Sequence, residues 1–317
     1  MDALKALPRP FFVLAPMDDV TDTVFRQIVA DCAPPDLFFT EFVNVDGLQS
    51  EGRERLIGKV RFTPKERPII AQVWGKNPEN FKKTAAELVD MGFAGIDINM
   101  GCPQKVVVGN GCCSALINNR ELAQEIIQAV QEGVAGRVPV SVKTRLGWNS
   151  VDYTWHEFLL GQNLAMLTIH GRTRSEMSAV PAHWDAINEI RKLRDRIAPD
   201  TIIVGNGDVL TREQGLALAH EYSLDGVMIG RGVFQDPFVF AEHSPWETYS
   251  REQKIALYQK HVGLFADTWE HGDRRVAMLN KFCKIYVNGF DGAKELREQL
   301  MAAESTAELL GFLQAAS

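Results

Sequence analysis

Gly95-Ile96-Asp97-Ile98-Asn99-Met100-Gly101-Cys102-Pro103 is the stretch on which the reading of this chain turns. Its first half is a short apolar run of the kind that forms a buried strand. Its second half stops that strand, because glycine and proline bracket a cysteine and the glycine-rich turn Gly109-Asn110-Gly111 follows. A thiol held where a strand ends is placed for chemistry rather than packing.

Seven further runs of this type flank it, at residues 11–14, 37–40, 69–73, 138–142, 166–169, 201–204 and 226–229. Between them, residues 80–91, 121–132, 184–196 and 211–221 carry helical spacing, with Asn77 and Thr211 as caps. Near-continuous apolar strands that alternate with helices imply a parallel sheet covered on both faces. Eight such units in about 230 residues predict a closed (β/α)₈ TIM barrel rather than an open sheet. After Pro237 the strand signal ends, and residues 250–313 read as helices only, broken at 271–273 and 288–292. The expected organisation is therefore a barrel domain over residues 1–244 and a small helical domain over 245–317.

Composition narrows the class. The 317 residues include five cysteines, Cys32, Cys102, Cys112, Cys113 and Cys283, an odd number without zinc spacing. Neither a disulfide framework nor a metal site is expected, and a reducing, cytoplasmic setting fits. No run approaches the ~18 apolar residues of a membrane span. The formal charge of −7 argues against indiscriminate nucleic-acid binding but leaves room for a local basic face. No obligate protein partner is expected.

A barrel of this kind gathers its chemistry at the C-terminal ends of its strands. In order, those ends carry Pro16-Met17-Asp18, Glu41, Gln72 with Gly75, Asn99 with Cys102, Lys143 and Arg145, His170-Gly171-Arg172, Gly205-Asn206-Gly207-Asp208, and Gly230-Arg231-Gly232. This ring is poor in carboxylates and shows no metal-ligand cluster. Glycine-rich turns after the seventh and eighth strands suit a phosphate, with Arg231 adding charge. Lys143 at the mouth would stabilise negative charge on a ligand, and Lys143 and Arg145 are read as alternating, so that only one points fully at the axis. Cys102, with an ordinary thiol pKa of ~8.5, is mostly protonated at neutral pH and suits a general acid, unless a neighbour such as Lys105 lowers it. Cys112 and Cys113 read as small packing residues.

Taken in order, these motifs resemble the tRNA-dihydrouridine synthase family over nearly the whole chain. The resemblance rests on residues 14–22, 40–42, 71–75, 97–103, 142–148, 169–173, 205–208 and 228–232. It implies an FMN-binding barrel that uses NADPH to reduce particular uridines of tRNA, with hydride passing from flavin N5 to uracil C6 and Cys102 protonating C5. By the same resemblance Pro16, Met17 and Asp18 line the flavin, and Gln72, Lys143 and His170 contact its ring or ribityl chain. Asn206, Gly207, Asp208, Gly230 and Arg231 hold its phosphate end, and Asn99 and Arg145 lie near the target base. Arg274, Arg275, Lys281 and Lys284, with no acidic residue among them, would contact tRNA phosphates. Residues 112–114 and 176–184 depart from the family's usual pattern. The rival readings are a barrel reductase of a small molecule and a non-catalytic RNA-binding protein.

Overall fold

The computed structural model describes residues 2–269 and 274–316. Eight strands form the expected barrel: β1 Phe11–Leu14, β2 Phe38–Asn44, β3 Ile69–Trp74, β4 Gly95–Met100, β5 Val140–Arg145, β6 Met166–His170, β7 Ile202–Asn206 and β8 Gly226–Ile229. Each pairs in parallel with its neighbour, and β1 returns to β8. A parallel bridge between Val13 and Leu37 closes the ring at β1 and β2. Their side chains are almost wholly buried because the strands face the barrel interior on one side and the helices on the other.

The surrounding helices are α1 Thr23–Cys32, α2 Pro78–Asp90, α3 Arg120–Val134, α4 Tyr153–Leu160, α5 Trp184–Ile197 and α6 Arg212–Glu221. Both expected caps are present: Asn77 accepts from the Glu79 N–H and Thr211 from the Gln214 N–H. The α5 helix rests against β7 where Gly205 leaves room for an indole. A Cβ on Gly205 would stand 2.4 Å from the Trp184 ring.

Four more helices follow, α7 Arg251–Thr268, α8 Asn280–Tyr286, α9 Ala293–Ala302 and α10 Thr306–Ala315. The expected break at 288–292 separates α8 from α9, whereas that at 271–273 lies outside the described residues. This helical region is sealed to the barrel through α1: the Phe25 and Phe282 rings lie 4.7 Å apart, and Trp269 Nε1 donates to Asp22 at 3.1 Å. Phe25, Phe282, Tyr258 and Tyr286 belong to the same apolar core as the barrel's outer face. No helix among the described residues is long and apolar enough to cross a membrane.

Candidate active site

The loop after β4 is built around Cys102. Asn99 Oδ1 accepts from the N–H groups of Gly101 and Cys102, each at 3.0 Å. The chain then passes through a short helix, Lys105–Gly109, and turns back so that Ser114 Oγ donates to the Cys102 carbonyl at 2.8 Å. At the return, Cys113 adopts φ +53°, a left-handed conformation uncommon for a residue with a side chain, and is fully buried in a cluster that Cys102 packs against.

That contact overturns the expectation of an untuned thiol. A hydrogen bond with the Cys113 thiol pulls Cys102 down to about 7, outweighing the opposing effect of burial, with the Gln104 N–H and Arg145 assisting. The tuning neighbour is thus Cys113 rather than Lys105. Cys112 and Cys113 are buried as packing residues would be, and burial pushes both thiols up, so Cys102 is the member of the group nearest to titrating at neutral pH.

A second correction concerns Lys143 and Arg145. Residues two apart on a strand share a face, and both line the same cleft. Arg145 braces two loops at once, donating from Nε to the Gly101 carbonyl at 2.8 Å and from its terminal nitrogen to the carbonyls of Thr173 and Met177 at 3.0 and 2.9 Å. Burial, with Arg145 nearby, lowers Lys143 to about 8, while Asp97 and Cys102 pull the other way. Lys143 therefore remains mostly charged at neutral pH.

On the far side of the cleft, an Arg172 guanidinium nitrogen stands 3.1 Å from His170 Nε2. A guanidinium only donates, so Nε2 accepts and the imidazole is neutral. Burial and the surrounding Lys143, Arg145, Arg172 and Arg231 all disfavour its cation. Asp208 bridges two of these cations: Oδ2 accepts from Arg172 at 2.5 Å and from the Ala182 N–H at 2.9 Å, and Oδ1 accepts from Arg231 at 3.0 Å. Burial opposes its ionisation, but the bond from Arg172 and the other contacts hold it below the usual carboxylate range.

The cleft between these groups encloses about 280 Å³. It unites Pro16, Met17, Lys143, Arg145, His170, Asn206, Gly207, Asp208, Gly230 and Arg231, and Pro103 brings the Cys102 loop to its edge. Ala15, Pro16 and Met17 give it an apolar wall, whereas four cationic side chains face it against the single carboxylate of Asp208. This donor set fits a planar ring carrying an anionic tail. A larger cavity of about 680 Å³ lies at the opposite end of the barrel, between Leu4, Gln131 and the starts of β5 and β7, and its lining holds no cysteine or histidine.

Gln72 and Asn99 sit beneath the cleft, buried and bonded to each other at 3.0 Å. Asp18 stands aside and pairs with Lys59. Although the sequence shows no metal-type cluster, folding brings carboxylate oxygens of Asp18, Asp19 and Glu41 within 4.8 Å of one another. Lys59 and Arg274 already pair with members of that group. Of the basic helical residues, Arg274 is bound to Glu41, whereas Arg275, Lys281 and Lys284 are exposed, Lys281 also donating to the Asp19 carbonyl at 2.6 Å.

Arg172 stands among the strand-end residues of the sequence without a role of its own, and two further participants, Asp97 and Cys113, lie outside that ring. Asp97 is visible only as an acid inside an apolar strand. Cys113 gave no signal, because its contact depends on the path of the loop.

A family model described as dihydrouridine synthase matches residues 13–317. The chain belongs to that family. A probable tRNA-dihydrouridine synthase 2 of Bacillus subtilis (strain 168) is 49% identical over 313 residues, 98% of this chain and 94% of the relative. A probable tRNA-dihydrouridine synthase of Staphylococcus aureus (strain COL) is 48% identical over 310 residues, covering 97% and 93%. The dihydrouridine synthase membership makes this chain an oxidoreductase. Histamine dehydrogenase from Rhizobium sp. 4-9 shares the fold alone, with a TM-score of 0.53 at 12% identity over 83% of this chain and 51% of that one.

Proposed function

We propose that this dihydrouridine synthase reduces uridines of tRNA to 5,6-dihydrouridine with FMN as cofactor, NADPH as reductant and Cys102 as proton donor. The observation that carries the reading is the tuned thiol of Cys102 at the edge of a cationic cleft whose donors suit a flavin phosphate. Arg231, the turns at Gly207 and Gly230, and Asn206 would hold the phosphate and ribityl end, with Arg172 drawn in beside them. Pro16 and Met17 would back the ring, and Lys143 would stabilise negative charge on it. Bound FMN supplies the hydride that uracil C6 gains.

The chain's own residues do the rest. An enzyme acting on a base must receive it turned out of the stack, and Arg145 holds open the path by fixing the Gly101 and Met177 segments on either side. Cys102 gives its proton to C5, so the base gains two hydrogens across its 5,6 bond and the thiolate is reprotonated from water. The barrel occupies residues 1–244 and the helical domain 245–317, the latter meeting tRNA through Arg275, Lys281 and Lys284. Arg274 instead acts through Glu41.

The test uses Cys102→Ala in the full chain. The purified variant should remain yellow and oxidise NADPH, yet form at least ~100-fold less dihydrouridine in tRNA, within the range for loss of a general acid. Wild-type turnover would place the acid elsewhere, and a colourless protein that does not take up FMN would remove the flavin from the reading.

A further inference from the structure

Four side chains in the barrel interior form one unbroken hydrogen-bond chain beneath the cleft. Ser141 Oγ donates to Asp97 Oδ1 at 2.6 Å, and Gln72 Nε2 donates to Asp97 Oδ2 at 2.7 Å. Asn99 Nδ2 donates to Gln72 Oε1 at 3.0 Å, and Asn99 Oδ1 accepts from the N–H groups of Gly101 and Cys102. All four side chains are buried.

The direction of such a chain matters because an amide can present either end. The Gly101 and Cys102 N–H groups require an oxygen from Asn99. Its nitrogen must then face the Gln72 oxygen, and the Gln72 nitrogen must find an acceptor. Asp97 is that acceptor, and Ser141 donates to its other oxygen. An asparagine there can keep the chain closed, with its oxygen toward Gln72 and its N–H groups toward the Ser141 hydroxyl, which then accepts. A leucine offers no acceptor and leaves the Gln72 amide unpaired in a buried site, at a cost that favours rearrangement.

We infer that Asp97 is a positioning residue, which closes this chain and thereby holds Asn99 against the backbone that carries Cys102. It neither lines the cleft nor touches the thiol; it acts on the loop through Gln72 and Asn99, and its charge also reaches Lys143. Its meaning for turnover rests on the reading of Cys102 as proton donor, whereas its effect on the loop does not.

The experiment reads the loop directly. In the full chain, alkylation of Cys102 by iodoacetamide is followed against pH by peptide mass spectrometry. Wild type should show a midpoint near the tuned thiol value of about 7. Asp97→Leu should release the clamp, separate Cys102 from Cys113 and slow alkylation at pH 7 roughly tenfold, as expected for a thiol returning to ~8.5. Asp97→Asn keeps an acceptor for Gln72 and should leave the midpoint in place. A residue that served only to fill space would be replaced by leucine without effect. If Asp97→Leu does not accumulate as folded protein, Gln72→Leu cuts the same chain one link further on and should give the same slowing. A wild-type profile in Asp97→Leu or in Gln72→Leu, or the same slowing in Asp97→Asn, overturns the inference. Altered alkylation without altered dihydrouridine formation would leave the positioning intact and remove Cys102 from the reaction.

Discussion

Arg274 reaches 233 positions back along the chain to pair with Glu41 at 2.5 Å. The Glu41 carboxylate is completely buried and the Arg274 side chain is only 8% exposed. Burial pushes the Glu41 carboxyl up from its ordinary value, and Arg274 with Lys59 pulls it back. The pair joins the middle of β2, where its pairing with β3 shifts register, to the helical region. Together with Trp269 on Asp22 it fixes where that region sits beside the cleft.

Removing one partner of such a pair leaves a buried charge uncompensated, which typically costs about 3–5 kcal/mol. Arg274→Ala should therefore lower the melting temperature by several degrees. Combining it with Glu41→Gln should recover part of the loss, because the orphaned charge disappears. An unchanged melting temperature in the single variant would show that the pair contributes nothing.

The depressed thiol of Cys102 predicts a pH limit on turnover. A general acid must carry its proton, so with the thiol at about 7 the competent fraction falls as pH rises through 7 and then drops about tenfold per unit. Dihydrouridine formation under single-turnover conditions should follow that limb. Cys113→Ala deletes the main lowering contact and should carry the limb to higher pH. A limb that stays in place in Cys113→Ala would assign it to another group.

Close packing at α5 predicts a substitution that fails for steric reasons alone. Gly205→Ala would set a methyl 2.4 Å from the Trp184 ring and 2.8 Å from Leu224. Overpacking of this kind typically costs about 1–3 kcal/mol, measurable by denaturant unfolding. Trp184→Leu in the same background should relieve it. Equal stability of Gly205→Ala and wild type would mean that the ring moves aside freely.

The barrel was legible because each strand is a compact apolar run, and the structure places a strand at all eight. Two helices were not singled out, for a physical reason that differs between them. In α1 the helical period is interrupted by Arg26, which is buried yet paired with Glu66 at 2.6 Å, while α4 spans only eight residues, Tyr153–Leu160, with apolar residues on both faces. The cleft residues are readable from the sequence because strand order alone brings strand ends together. Contacts made by loop path or by distant segments, such as Cys113 on Cys102 or Arg274 on Glu41, leave no local pattern. The basic helical segment shows the consequence: four like charges read as one surface, yet the fold turns Arg274 inward and leaves Arg275 and Lys284 outside.

That division predicts how tRNA binding responds to salt. Each phosphate contact contributes close to one unit to the slope of log affinity against log salt. Replacing Arg275 and Lys284 together by glutamine should reduce the slope by roughly two, weaken binding to different tRNAs alike and leave FMN content and melting temperature unchanged, since neither side chain is buried. Arg274→Ala should behave oppositely, losing stability while any change in salt slope stays within the error of the fit. Filter binding over a range of potassium chloride concentrations distinguishes the two. An unchanged slope in the double variant would move the RNA contact away from Arg275 and Lys284, and the exposed rim around Arg231 would be the next surface to test.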